Sequence, residues 1–453
     1  MNARRNYLLA LLTAILAFNY VDRFALGVLL QDIKVDLGLS DTQLGFLTGL
    51  AFAVFYAVMG IPIARWADRG NRVTIISVTV ALWSVAVGAC ALARSFPQLL
   101  LMRMGVAVGE AGCYPPALSL ISDYFDRAER PRAVARYMLG ICLAFGIGYF
   151  AAGWLDQYYG WRITFLALGI PGVLLAILAA LTLYEPRRGK GVDARSASPP
   201  TPSLKEVLRT LWTNGTFRHI FLAFSVWGFF GYGIQQWLPA FFVRSHGLSS
   251  GELGTWLALV NGVVGFFATL IGGELASRYA AHNERLQLQA ISVVYTICAV
   301  ILMGVYLAPS YRLAFALLAI YAAGAFGANG PLFAATQTIV PPRMRAMSIS
   351  LMYFFCNLIG MGLGPLAVGA LSDALRPWAG EESMRYALLA FCPGYFWCAW
   401  HFWRASKSVA RDIAAARFRE SSTDDEVSQS VDRTSSFTVV NLIDAAKLQG
   451  TQL

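Results

Sequence analysis

Apolar runs of about 20 residues recur along the whole chain of 453 residues, and each is long enough to cross a hydrocarbon core of about 30 Å as a helix. That recurrence restricts the chain to an all-α membrane protein. We count twelve runs, near 6–30, 42–65, 73–93, 97–122, 133–154 and 161–184, then 217–242, 252–278, 286–307, 312–339, 345–371 and 383–404. Composition agrees: 57% of residues are hydrophobic and 14% charged, where a soluble domain carries about 25% charged residues. Seven cysteines fall singly, without metal-ligand or disulfide spacing.

The runs divide into two six-span halves. Gly60-x4-Arg65-x6-Arg72 after the second run returns as Gly273-x4-Arg278-x6-Arg285 after the eighth, and Arg132-Ala133 returns as Arg345-Ala346, all at one offset. A shared offset argues for two copies of one unit, with a substrate cavity between them near the bilayer midplane. The expected organisation is a first bundle over 1–186, a linker with a short interfacial helix over 187–216, a second bundle over 217–406 and a tail over 407–453. Most of the 36 Lys and Arg residues lie on the side of the N-terminus, which places both termini in the cytoplasm of a cell with this protein in its inner membrane. The net charge of +10 therefore reflects topology and anionic lipid rather than a nucleic-acid partner.

Inside the first run stands Asn19-Tyr20-Val21-Asp22-Arg23. A charge at a helix centre costs about 2.5–3.5 kcal/mol on insertion scales, so an adjacent pair marks a functional site. Successive helical residues point about 100° apart, and Asp22 and Arg23 must find separate partners. Counting depth supplies them. Asp22 and Arg23 sit about 10 Å below the far end of the first span and Arg103 about 9 Å below that of the fourth, so Asp22 and Arg103 can meet. Glu110, two turns further along the fourth span and about 10 Å deeper, is the expected partner of Arg23. Two acids and two arginines in low dielectric suit proton coupling, with Glu110 as the expected carrier and Asp22 as the second candidate; a static network that fixes packing is the alternative.

Gly60-Ile-Pro-Ile-Ala-Arg-Trp-Ala-Asp68-Arg69-Gly70-Asn-Arg72 resembles the signature loop of the major facilitator superfamily, and Arg103 resembles that superfamily's second motif. More narrowly, Asn19-Tyr-Val-Asp-Arg, the Gly-Leu-Ser-Asp-Thr-Gln-Leu-Gly of 38–45 and Arg103-x5-Gly109-Glu110-Ala-Gly112 are similar to the Spinster family. The resemblance implies alternating access by a transporter of lysophospholipid or sphingosine-1-phosphate-like molecules. It also implies a gate in which Asp68, with Arg69 and Arg72, docks on the start of the eleventh span near Arg345. Two features depart from the pattern: Ala281 stands where the second copy of the loop would repeat Asp68, and the fifth span lacks the proline of the antiporter motif.

Substrate contacts are expected from Tyr20, Arg23, Arg103 and Glu110 in the first half, and from Gln236, Trp237 and Asn329 in the second. The second-half residues are weighed against an interfacial aromatic belt and against a glycine run that serves packing alone. Charge on one wall and amide and aromatic groups on the other fit an amphipathic molecule with an anionic or zwitterionic head. The expected partners are that molecule, protons and membrane lipid, with the protein a monomer and no cofactor beyond a proton gradient. The runner-up substrates are organic acids or sugar acids, and a transport-dead sensor is the reading from another class. No Ser/His, Cys/His or metal-ligand set converges in the spans, and no Gly-x4-Gly-Lys-Ser/Thr loop occurs, which argues against an enzyme and against an ATP-driven pump.

Overall fold

The computed structural model describes residues 2–126, 129–186, 204–280, 283–340 and 344–415, with the backbone alone at 2, 3, 64, 68, 69, 131, 204–206, 345 and 346. Helices follow one another throughout, and no strand forms among the described residues. The first half comprises α1 (Asn2–Leu37), α2 (Asp41–Thr48), α3 (Leu50–Arg69), α4 (Arg72–Cys90), α5 (Phe96–Glu110), α6 (Tyr114–Tyr124) and α7 (Arg130–Thr182). After α8 (Leu204–Thr213), the second half comprises α9 (Gly215–His246), α10 (Ser250–Leu257), α11 (Gly265–Ala280), α12 (Glu284–Leu307), α13 (Tyr311–Gly327), α14 (Asn329–Ile339), α15 (Arg345–Phe355), α16 (Gly362–Ala379) and α17 (Ser383–Phe391), with helix again over 394–415.

Eight helical stretches are long and apolar enough to cross a membrane. Two of them, 51 and 69 residues long, exceed what one crossing of about 20 residues needs. Each contains a glycine at positive φ, Gly160 at 76° and Gly380 at 56°, where the chain turns back. Helical stretches over 96–124, interrupted at 111–113, and over 215–246 lie outside those eight. The arrangement is consistent with the twelve crossings expected from sequence.

How the spans join explains a motif and exposes a second repeat. α1 stops at Gly38, whose φ of 64° is a left-handed conformation that glycine adopts without strain. Ser40 then starts α2 with a capping box: its Oγ accepts from Gln43 N at 3.1 Å while Gln43 Oε1 accepts from Ser40 N at 2.9 Å. The second half uses the same device. Gly247 ends α9 at φ 66°, Ser249 Oγ accepts from Glu252 N at 3.4 Å, and the sequence again reads Gly-Leu-Ser-x-x-(Gln/Glu)-Leu-Gly over 38–45 and 247–254.

The last glycine of each copy carries the approach between halves. A Cβ on Gly45 would stand 2.5 Å from Pro365 O in α16, and one on Gly254 would stand 2.3 Å from Tyr149 O in α7. Only hydrogen fits at either crossing, so the two halves interlock through equivalent contacts at the end of the molecule away from the N-terminus. We call this the distal end.

Candidate substrate and proton site

α1 presents Asp22 and Arg23 inward at mid-helix, and α5 presents Arg103 and Glu110 one above the other. Asp22, Arg103 and Glu110 are almost wholly buried, while Arg23 keeps some exposure to the cavity between the halves. Arg23 Nε donates to Glu110 Oε2 at 2.6 Å, and Arg23 Nη2 closes on the same oxygen. Arg103 Nη1 stands 3.8 Å from Asp22 Oδ2, an ion pair beyond hydrogen-bond length. Both pairs inferred by counting depth are therefore present.

Counting depth separates Asp22 from Glu110 by about two turns, but Arg23, next to Asp22 in the chain, pairs with Glu110 while Asp22 pairs with Arg103, so both acids belong to one cluster. Side chains on neighbouring helices lean along the axis, so residues offset in backbone height still meet. Among the described residues, both Asp22 oxygens and Glu110 Oε1 are buried without a hydrogen-bond donor, as are Arg103 Nε and Nη1 without an acceptor.

Aromatic rings hold the guanidinium groups in place. Arg23 lies 5.0, 4.9 and 5.2 Å from the ring centres of Tyr20, Phe52 and Tyr56, and Arg103 lies 5.4 Å from that of Phe52. Phe52 thus serves both arginines, and the ring faces attract the charge that burial disfavours.

The cavity they face runs between the halves, with Tyr20, Arg23, Phe24, Phe52, Arg103 and Tyr149 on one wall and Tyr232, Gln235, Gln236, Met361 and Pro365 on the other. Its volume is about 70 Å³. Gln236 lines it, and its Nε2 has no partner among the described residues. Two expected contacts are placed elsewhere. Trp237 is fully buried and donates from Nε1 to Pro365 O at 2.8 Å, which ties α9 to α16, because residues 236 and 237 point about 100° apart on one helix. Asn329 starts α14 and is not part of the cavity lining.

Of the expected gate, the side chains of Asp68, Arg69 and Arg345 lie outside the described residues, as does Ala281. Arg72 is satisfied within the first half. Its backbone N donates to Glu185 at 2.7 Å, its Nη1 to Ser119 Oγ at 2.8 Å, and its Nη2 pairs with Asp123 at 2.7 Å and with Glu185. The side chain is fully buried there and joins the start of α4 to α6 and to the segment after α7.

A polar lock unforeseen from sequence sits at the distal end. Asp41, the first residue of α2, takes Arg244 of α9 in a bidentate pair at 2.8 and 2.7 Å, Lys34 at 2.6 Å and Ser372 Oγ of α16 at 2.7 Å. Arg244 Nε also donates to Gln31 at 2.7 Å, and Asp373 accepts from Thr42 N and Oγ1 at 2.7 and 2.6 Å. Nearby, Trp154 Nε1 donates to Thr255 and Gly251 N to Gln157, again between halves. These are charges at span ends beside short loops, where sequence shows only that they are near water. Their pairing depends on tertiary proximity.

Residues 12–409 match the model of the Major Facilitator Superfamily. An MFS-type efflux pump of Mycolicibacterium smegmatis is 34% identical over 403 residues, 87% of this chain and 91% of that protein. Protein spinster homolog 1 of Bos taurus is 28% identical over 84% of this chain and 76% of that protein. Among solved structures, an inward-facing and unoccupied crystal structure of a bacterial homologue of the human lysosomal transporter Spinster superposes with a TM-score of 0.79 at 31% identity, covering 91% of this chain and 99% of that one.

Proposed function

Because the chain belongs to the Major Facilitator Superfamily and is Spinster-like within it, we propose that it is a proton-coupled secondary transporter that moves an amphipathic lipid with an anionic or zwitterionic head. A lysophospholipid or a sphingosine-1-phosphate-like molecule has the required chemistry. Transport runs by alternating access across the cell membrane, with both termini cytoplasmic and the distal end facing out.

One observation carries the proton-coupled reading: two buried carboxyl groups of one cluster hold three oxygens that lack a donor among the described residues. Buried acceptors are rarely left unmatched, and one proton shared between Asp22 and Glu110 would give one of these oxygens a donor while lowering the negative charge of the two acids. The proton then belongs to the pair, not to either residue alone. Arginine stays charged at any working pH, so only the acids can titrate.

The coupling follows from what Glu110 holds. With Glu110 ionised, its charge occupies the Arg23 fork. Protonation weakens that hold and leaves the guanidinium available to a phosphate or carboxylate head, which it can grip with two parallel hydrogen bonds. Tyr232, Gln235 and Gln236 face it across the cavity, supplying the neutral polar and aromatic wall that an amphiphile needs. This space is too small for the whole amphiphile, so the cavity must widen as the halves separate.

The reading is tested with a substrate panel in proteoliposomes, with and without a pH gradient. We expect lysophospholipid or sphingosine-phosphate uptake that rises with the gradient, while hexuronates and aldarates are ignored. Gradient-driven uptake of a sugar acid with no lipid movement would replace the substrate class and leave the coupling site intact. Lipid movement indifferent to the gradient would remove the coupling.

A further inference from the structure

We propose a second lipid site on the outer surface where α7 of the first half meets the second half, separate from the central cavity, which holds an anionic phospholipid of the bilayer. It is built along α7. Arg132, Arg136, Leu139, Leu143, Ile147 and Phe150 recur at intervals of three or four, so they form one stripe on one helix face, and all six are exposed. The stripe begins cationic and continues apolar, as the length of a lipid does.

At the cationic end is a cleft of about 240 Å³ at the level of the N-terminus. Arg5 also lines it, but its charge is matched by Glu129 and its guanidinium lies 4.5 Å from the centre of the Phe125 ring. Arg132 and Arg136 have no ion pair among the described residues, and two cations at the head-group level of a cytoplasmic leaflet attract a phosphate.

One turn further on, a groove of about 680 Å³ opens between α7 and the opposite wall. That wall is α10, the π-helical turn Ala258–Val264 and the start of α11, with Leu259, Val263 and Phe266 among the lining residues. Leu139 to Phe150 spans about 16 Å at 1.5 Å per residue, a length suited to an acyl chain. At the floor the backbones touch, since a Cβ on Gly262 would lie 2.9 Å from Gly146 Cα. The lipid-facing surface of a helix pair is ordinarily filled by side chains; here glycines on both walls leave a trough. Charge complementarity at one end and an apolar trough at the other name the occupant as a bilayer phospholipid with an acidic head.

The test is native mass spectrometry of the full-length protein purified in detergent and titrated with phosphatidylglycerol or phosphatidylcholine. We expect phosphatidylglycerol to bind in preference, and the double variant R132Q/R136Q to lose that preference by about thirtyfold, from two cations near a charged surface. Filling the trough with Leu143→Trp should displace either lipid. Cys142→Trp, from the same wall, serves as a second variant in case the first misfolds, and size-exclusion elution reports folding in both. Equal retention of phosphatidylglycerol by the arginine variant and the trough variants overturns the site. Displacement of the bound lipid by inorganic phosphate alone would reduce it to a free-anion site and also overturns the proposal. Neither result depends on what the central cavity transports.

Discussion

Arg23 pairs with Glu110 through the same guanidinium that faces the cavity between the halves. If it grips an anionic head through its planar fork, Arg23→Lys should cut transport at least tenfold while the protein folds normally, since a point charge cannot reproduce two parallel hydrogen bonds or stack within three rings. Uptake by liposomes containing the lysine variant checks this, and wild-type uptake would reduce Arg23 to charge balance. The two pairings of this cluster were legible in the sequence, because intramembrane charge is rare and helical rise fixes depth. The aromatic setting of Phe52 and Tyr56 around Arg23 was not, because depth along an axis says nothing of how side chains lean. Trp237 was misplaced for a similar reason: one residue of helical rotation separates the cavity from the packing surface.

At the scale of helices, the distal lock and the glycine crossings hold the same end closed. Asp41 is buried with four donors around it, so Asp41→Asn removes the charge that Arg244 and Lys34 need and should shift the population toward distal-open. Each 1.4 kcal/mol lost is tenfold in that equilibrium. Gly254→Leu should act in the same direction by sterics alone, since its Cβ would meet backbone. Maleimide labelling of a cysteine placed at position 31 or 157 should rise severalfold in both variants; unchanged labelling would mean that other contacts close that end. Arg72 belongs to a different class. Fully buried and paired within one half, it should cost about 3–5 kcal/mol when changed to Gln, seen as a large fall in melting temperature whichever way the transporter faces. The Gly-Leu-Ser motif was visible in the first half, but its second copy was missed because a box of capping residues carries little hydropathy signal and sits at a different offset from the charged repeat.

At the scale of the whole molecule, two halves of similar build enclose an asymmetric cavity, charged on one side and neutral on the other. Fold class and the two-half division were legible from apolar runs and repeated motifs, since the bilayer imposes both. The identity of the closed end was not, because alternating conformations share one sequence. The central claim is that a proton shared by Asp22 and Glu110 couples the gradient to substrate movement. The direct measurement compares gradient-driven uptake with counterflow exchange in the same vesicles for wild type, Glu110→Gln and Asp22→Asn. Glu110→Gln keeps its side-chain volume without a charge, and should retain exchange within a fewfold of wild type while losing concentrative uptake. Asp22→Asn should lose uptake too, with lower stability because Arg103 is left buried without its partner. Concentrative uptake that persists in Glu110→Gln and still follows the pH gradient would contradict the account.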